Sequence, residues 1–147
     1  MAIDLNRMTL PEIFQHVSDL PAGKRADALK KIASLVDNVR VVLHYVYHKN
    51  VVMALPEGIP PYKPMDIPKN MGLNRLPAEM KKIQYFLPSS NINPIKRESM
   101  FIDMLESLSP EEAKLLLMMK NKKLEYKGIT RKLVEEVFPE ILVGEKD

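Results

Sequence analysis

The sequence predicts an all-α fold: a single-domain bundle of six or seven short helices, with a long proline-rich loop strapped across it. Three observations predict it. Apolar residues recur at i, i+3, i+4 and i+7 through most of the chain, the spacing of one helix face. Helix-start signatures, a hydroxyl residue followed by proline and glutamate, stand ahead of several of these stripes. Between the two helical halves fall prolines 56, 60, 61, 64 and 68. Proline at that density suits neither a helix nor a sheet interior.

Taken in order, Thr9, Pro11 and Glu12 open the first helix as a capping box, with Leu10, Ile13, Phe14, Val17 and Leu20 on its inner side. Leu20, Pro21, Ala22 and Gly23 break it. Ala26, Leu29, Ile32, Ala33 and Val36 form the stripe of a second helix, whose outer face carries Lys24, Arg25, Lys30 and Lys31. Asp37 or Asn38 caps a third, with Val39, Val42, Leu43 and Val46 turned inward. Its β-branched and aromatic residues would also suit a strand, but the period is 3.6 and a helix is expected. His44 and His48 stand at the i, i+4 spacing of a shared metal, yet the glutamate of the zinc-protease motif is missing and Arg40 would repel a cation. The expectation is a solvated pair and no metal site.

The loop runs over about residues 56–76, with Ile59, Tyr62, Met65, Ile67 and Leu73 available to pin it. A loop of that length is either packed by its own side chains or a binding surface. A fourth helix starts at Leu76 and Pro77, with Met80, Ile83, Gln84 and Leu87 on one side. After a polar turn at 88–93, Pro94 begins a helix striped by Phe101, Met104, Leu105 and Leu108. Ser109, Pro110 and Glu112 then start another at once, so a corner separates the two.

That next helix, 110–121, is apolar almost all round. Ala113, Leu116 and Leu117 take one face, and Leu115, Met118 and Met119 take the other. Such a helix is central in a bundle or covered on one side by a partner. Gly128 interrupts the chain, Thr130 caps, and Val134, Val137, Phe138 and Ile141 stripe a last helix that Pro139 helps to end.

The length, 147 residues, is that of one domain, and 46% hydrophobic with 28% charged residues is the balance of an ordinary soluble protein. No apolar run approaches the ~18–20 residues of a membrane span, so no membrane association is expected. The first ten residues lack a signal-peptide pattern, so export is not expected either. The absence of cysteine excludes disulfides and thiolate chemistry, and ten methionines suit either surfaces that repack against partners or a mutationally tolerant core.

Net charge is only +3, but its distribution is uneven. Between 114 and 132 lie Lys114, Lys120, Lys122, Lys123, Lys127, Arg131 and Lys132, with Glu125 as the one acid. The candidate nucleic-acid surface is therefore Lys120, Lys122, Lys123, Lys127, Arg131 and Lys132, with Tyr126 placed to stack on a base. The connection 122–129 is longer than a helix-turn-helix turn, and cations at a helix C-terminus are favourable with no partner at all. No glycine-rich phosphate loop or nucleophile elbow is present, and the pairs Glu111–Glu112 and Glu135–Glu136 read as helix surface. No enzyme, catalytic residue, cofactor or metal is expected. Candidate partner-binding residues are Pro60, Pro61 and Tyr62 of the loop with Leu115, Met118 and Met119 of the apolar helix.

Several stretches also carry a resemblance: Leu55-Pro56-Glu57-Gly58, Pro60-Pro61-Tyr62, Arg97 to Ile102, Met104-Leu105-Glu106, Glu112 to Leu116, Lys122-Lys123-Leu124, Tyr126-Lys127-Gly128 and Phe138-Pro139. Over residues 50–142 the chain resembles a family of small proteins from T4-like myoviruses of marine cyanobacteria and other bacteria. The resemblance implies a phage origin and a place in the cytoplasm of an infected bacterial host, or in the virion. It transfers no catalytic or binding residue. The expected function is that of a non-enzymatic accessory protein that binds another protein, phage or host, or a second copy of itself. The alternative is a nucleic-acid binder using 120–132 and the last helix.

Overall fold

The computed structural model describes residue 5 and residues 7–65 and 74–145. Its described residues form seven α-helices and two 3-10 helices, with no strand. The first three helices, α1 (Leu10–Asp19), α2 (Ala22–Leu35) and α3 (Asn38–Tyr47), lead into the loop. A single turn, α4 (Leu76–Glu79), runs straight into a 3-10 helix at Met80–Phe86. Then come α5 (Pro94–Ser107), α6 (Pro110–Asn121), α7 (Arg131–Val137) and a closing 3-10 turn, Pro139–Leu142. The loop residues Ile67, Pro68 and Leu73 lie outside the described residues.

Local chemistry sets most of these boundaries. Thr9 caps α1 as a full capping box: its Oγ1 accepts from the Glu12 amide, and the Glu12 carboxylate accepts from the Thr9 amide at 2.8 Å. The Ser109 cap of α6 departs from that pattern. Its Oγ accepts from the Glu112 amide, but Glu112 Oε2 turns away to accept from the Leu76 amide at 2.9 Å. One buried carboxylate thus serves the first turns of two helices, and this ties α4 to α6.

The inward stripes of α1, α3 and α5 are those expected, and the third segment is a helix. The fourth is not an α-helix beyond one turn. Met80, Ile83 and Phe86 point inward at intervals of three, the repeat of a 3-10 helix, and Gln84 is left exposed. Phe86 meets the Phe101 ring edge-on, with centroids 5.2 Å apart.

Helix α6 is the central one, packed on α1, α3 and α5. Leu115, Leu116 and Met119 are all buried, as is Ala113. Its second apolar face is covered from within the chain, and each such leucine contributes about 1.5–3 kcal/mol. Leu115 and Met119 are therefore core residues and not a partner face. Met118 keeps part of its surface.

The two histidines differ from expectation as well. His44 Nδ1 donates to the Ile141 carbonyl at 2.8 Å, and His48 Nε2 donates to the Val143 carbonyl at 3.0 Å. A carbonyl only accepts, which fixes the proton on each of those nitrogens. The C-terminal segment thus lies along the face of α3 that the sequence left to solvent. The Arg40 guanidinium, 5.4 Å above the Phe138 ring, holds it from the other side.

Candidate functional site

The basic segment 120–132 divides into cations that serve the fold and cations that face solvent. Lys122 ends α6 in the left-handed conformation, with φ of 56°. That geometry aims its side chain back across the bundle, where Nζ donates to the carbonyls of Tyr45, His48 and Val51, each at 2.7 Å. Two of these carbonyls sit at the C-terminal end of α3, where a cation opposes the negative end of the helix dipole. Burial pushes the Lys122 ammonium down to about 8, with Glu145 pulling the other way.

Lys120 is likewise committed. Its Nζ donates to the Gly58 carbonyl at 2.8 Å and to Asn121 Oδ1 at 3.0 Å, and burial lowers its pKa against the opposing pull of Glu57. Arg131 donates to the Tyr47 carbonyl at 2.7 Å and pairs with both oxygens of Glu145. Tyr126 stacks on Phe14 with ring centroids 5.6 Å apart and 19° between planes, so one face of its ring is covered. Burial pushes its hydroxyl up to about 12, with Glu111 adding to the rise. Lys123, Lys127 and Lys132 remain exposed. The phosphate-binding surface expected from charge alone loses half its six cations to carbonyls and a carboxylate, and Tyr126 is engaged on one face.

The proline-rich loop is pinned along its described length. The Ala54 amide donates to the Phe86 carbonyl at 2.6 Å, the Lys63 amide to Glu106 Oε2 at 2.7 Å, and Gly58, with φ of 83°, turns its carbonyl onto Lys120. Met53 is buried, and Leu55 and Tyr62 pack on the core. Pro60 is half-buried and Pro61 exposed. Between these anchors Ile59 is held out, 70% exposed. It overhangs a cleft of about 200 Å³ whose walls include Leu117, Met118, Lys114 and Lys123. The structure brings Met118 together with the loop tip, while Leu115 and Met119 stand on the far, buried side.

In the sequence Ile59 reads as a pin for the loop and not as a contact for a partner. Its hydrophobicity argued for pinning, and only the Lys120–Gly58 bond shows that the pin acts one residue earlier. No group of three or more His, Asp or Glu side chains among the described residues is placed to hold a metal ion. No described helix is long and apolar enough to cross a membrane.

Comparison with known families adds one match. The model of a family of unknown function, DUF6433, matches residues 15–126, from within α1 to the connection after α6. The chain belongs to that family. The matched span includes the loop, the central helix and both carbonyl-bound lysines. No curated protein and no solved structure matches the chain.

Proposed function

We propose that the protein is a non-enzymatic accessory protein that works by binding another protein, using the cleft between the loop tip and α6. The observation that supports this is Ile59, a large apolar side chain 70% exposed on a backbone tied down at Gly58 and Lys63. A hydrophobe held out on an ordered loop does nothing for the fold, while a preformed anchor loses little entropy when a partner covers it. Met118 extends the apolar floor with a side chain that adapts to irregular surfaces. The resemblance to small myovirus proteins supports a phage origin and a site of action in the infected bacterial cell.

The test is retention of a partner from infected-cell lysate on immobilised wild-type protein, compared with Ile59→Glu and Met118→Glu. Loss of one retained species in both variants, with unchanged melting temperature, is the expected result. Equal retention by all three proteins would overturn the reading. Sedimentation of the wild type across concentration shows whether the partner is a second copy.

A further inference from the structure

A second cleft, of about 440 Å³, lies between α5 and the segment comprising α4 and the 3-10 helix Met80–Phe86. Its volume is in the range of small-molecule sites, and its walls are fixed by bonds of their own. The Tyr85 carbonyl accepts from Arg97 Nε at 3.2 Å and from Ser90 Oγ at 2.8 Å. The Asn74 amide donates to the Ser107 carbonyl at 3.0 Å across one end, and Phe86 is locked against Phe101.

The charge in this cleft is arranged unusually. Glu79 is only 6% exposed, and its buried Oε2 makes no hydrogen bond. Lys82 Nζ stands 2.8 Å from that oxygen, an ion pair by distance but not in a hydrogen-bonding direction. The two side chains are also mismatched in burial, with Lys82 56% exposed and Glu79 9%. A buried carboxylate is thus covered by a long surface ammonium that leaves its hydrogen bonding incomplete. Such a carboxylate gains from any cation that brings properly directed donors. Asp103 adds a second, exposed negative charge to the lining, and Tyr85 with the thioethers of Met100 and Met104 offers polarizable walls.

We propose that this cleft binds an organic cation, a primary amine or guanidinium on a short alkyl chain, which replaces the Lys82 ammonium on Glu79 and takes Asp103 as its second counter-charge. The inference is independent of the Ile59 cleft. The same chemistry reaches the site either as a free small amine or as a basic side chain of a peptide.

Methyl NMR of the full chain, followed at Met100 and Met104 and assigned with leucine variants, tests it with three probes. These are agmatine, an acetylated and amidated Gly-Arg-Gly peptide, and uncharged butanol. Saturable shifts with agmatine or with the peptide below about 1 mM, and none with butanol, are expected. A response to agmatine alone identifies the free amine as the source, and a response to the peptide alone identifies a side chain. Lys82→Met removes the resident competitor and should tighten binding about threefold to tenfold, while Asp103→Asn should weaken it by a similar factor. Both changes are at exposed positions, so they decide the matter even if Glu79→Gln, expected to abolish binding, lowers the melting temperature. Absence of saturation up to about 10 mM of either cation, an equal response to butanol, unchanged or weaker binding in Lys82→Met, or unchanged binding in Asp103→Asn would each overturn the proposal.

Discussion

Replacing Lys122 by methionine isolates the work of one ammonium group. Methionine keeps the apolar stem and the same left-handed backbone at the end of α6, so neither packing along the stem nor the φ of 56° changes in kind. What disappears is a cation bonded to three carbonyls at 2.7 Å. Hydrogen bonds to a charged group contribute roughly 1.5–3 kcal/mol each, or about 5–9 kcal/mol for three. Desolvating the ammonium offsets several kcal/mol of that. The variant also leaves carbonyls short of a donor, although the His48 carbonyl has a second one, from the Val51 amide at 3.2 Å. The net expected loss is about 3 kcal/mol, and at this chain length each kcal/mol lowers Tm by roughly 2–4 °C. Urea unfolding followed by circular dichroism should therefore show Lys122→Met destabilised by about that amount, while Lys123→Met stays within about 0.5 kcal/mol of wild type. Equal stabilities for the two variants would refute the carbonyl-cage account and return Lys122 to the surface.

Further expectations concern the same parts of the molecule. Gly128 has φ of 82°, and a Cβ there would come within 2.2 Å of Arg25 Nη1; Gly128→Ala should cost about 1–3 kcal/mol in urea unfolding, with the double variant Gly128→Ala/Arg25→Ala recovering the part due to the clash. The Glu145 carboxyl is held down to about 2, first by its bond to Arg131 and then by the Lys49 amide. Its folded value lies below the unfolded one of about 4.3, so its stabilisation is present above that value and is lost as pH falls toward 2. Glu145→Gln should accordingly melt below wild type near pH 6, with the gap closing between about pH 4.5 and 2; a gap that persists at low pH would refute the pairing. Leu115→Ala should lose about 3 kcal/mol and Ile59→Ala less than about 0.5, which separates core from docking surface by thermal melting. Any DNA binding should show a salt slope no steeper than about −3, as three exposed lysines allow, and a slope near −6 would mean that the internal cations are free after all.

Much of the fold was legible because short-range physics set it. The stripes at Ile13, Phe14 and Val17, at Val39, Val42 and Leu43, and at Phe101, Met104 and Leu105 each follow from the helical period. The caps at Thr9 and Ser109 follow from the need to satisfy the first amides. The segment at 80–86 misled because Met80, Ile83 and Phe86 fit a three-residue repeat as well as a 3.6-residue one, and only contact with Phe101 selects between them. The internal bonds of Lys120, Lys122 and Arg131 were hidden for a different reason. Charge is visible in a sequence, but the acceptors that neutralise it are backbone carbonyls, which every residue owns and no sequence marks. Lys122 meets residues more than seventy positions away. His44 and His48 were misplaced by the same blindness, since their partners are carbonyls of the C-terminal segment. Ile59 and its cleft depend on where the loop is pinned, and that is a tertiary property.

The polar end of α3 is finished by residues that come very late in the chain. His44 waits for Ile141 across 97 positions, Lys49 for Glu145 across 96, and Tyr47 for Ile129 across 82. On a ribosome adding about 5–20 residues per second, that delay lasts roughly 5–20 seconds. Until then the imidazoles and the Lys49 amide lack these partners, so a chain truncated near residue 120 should be far more protease-sensitive at α3 than one extending past 145. The packing order therefore runs against the order of synthesis: the polar end of α3 is not a finished surface until residues 129–145 have been made.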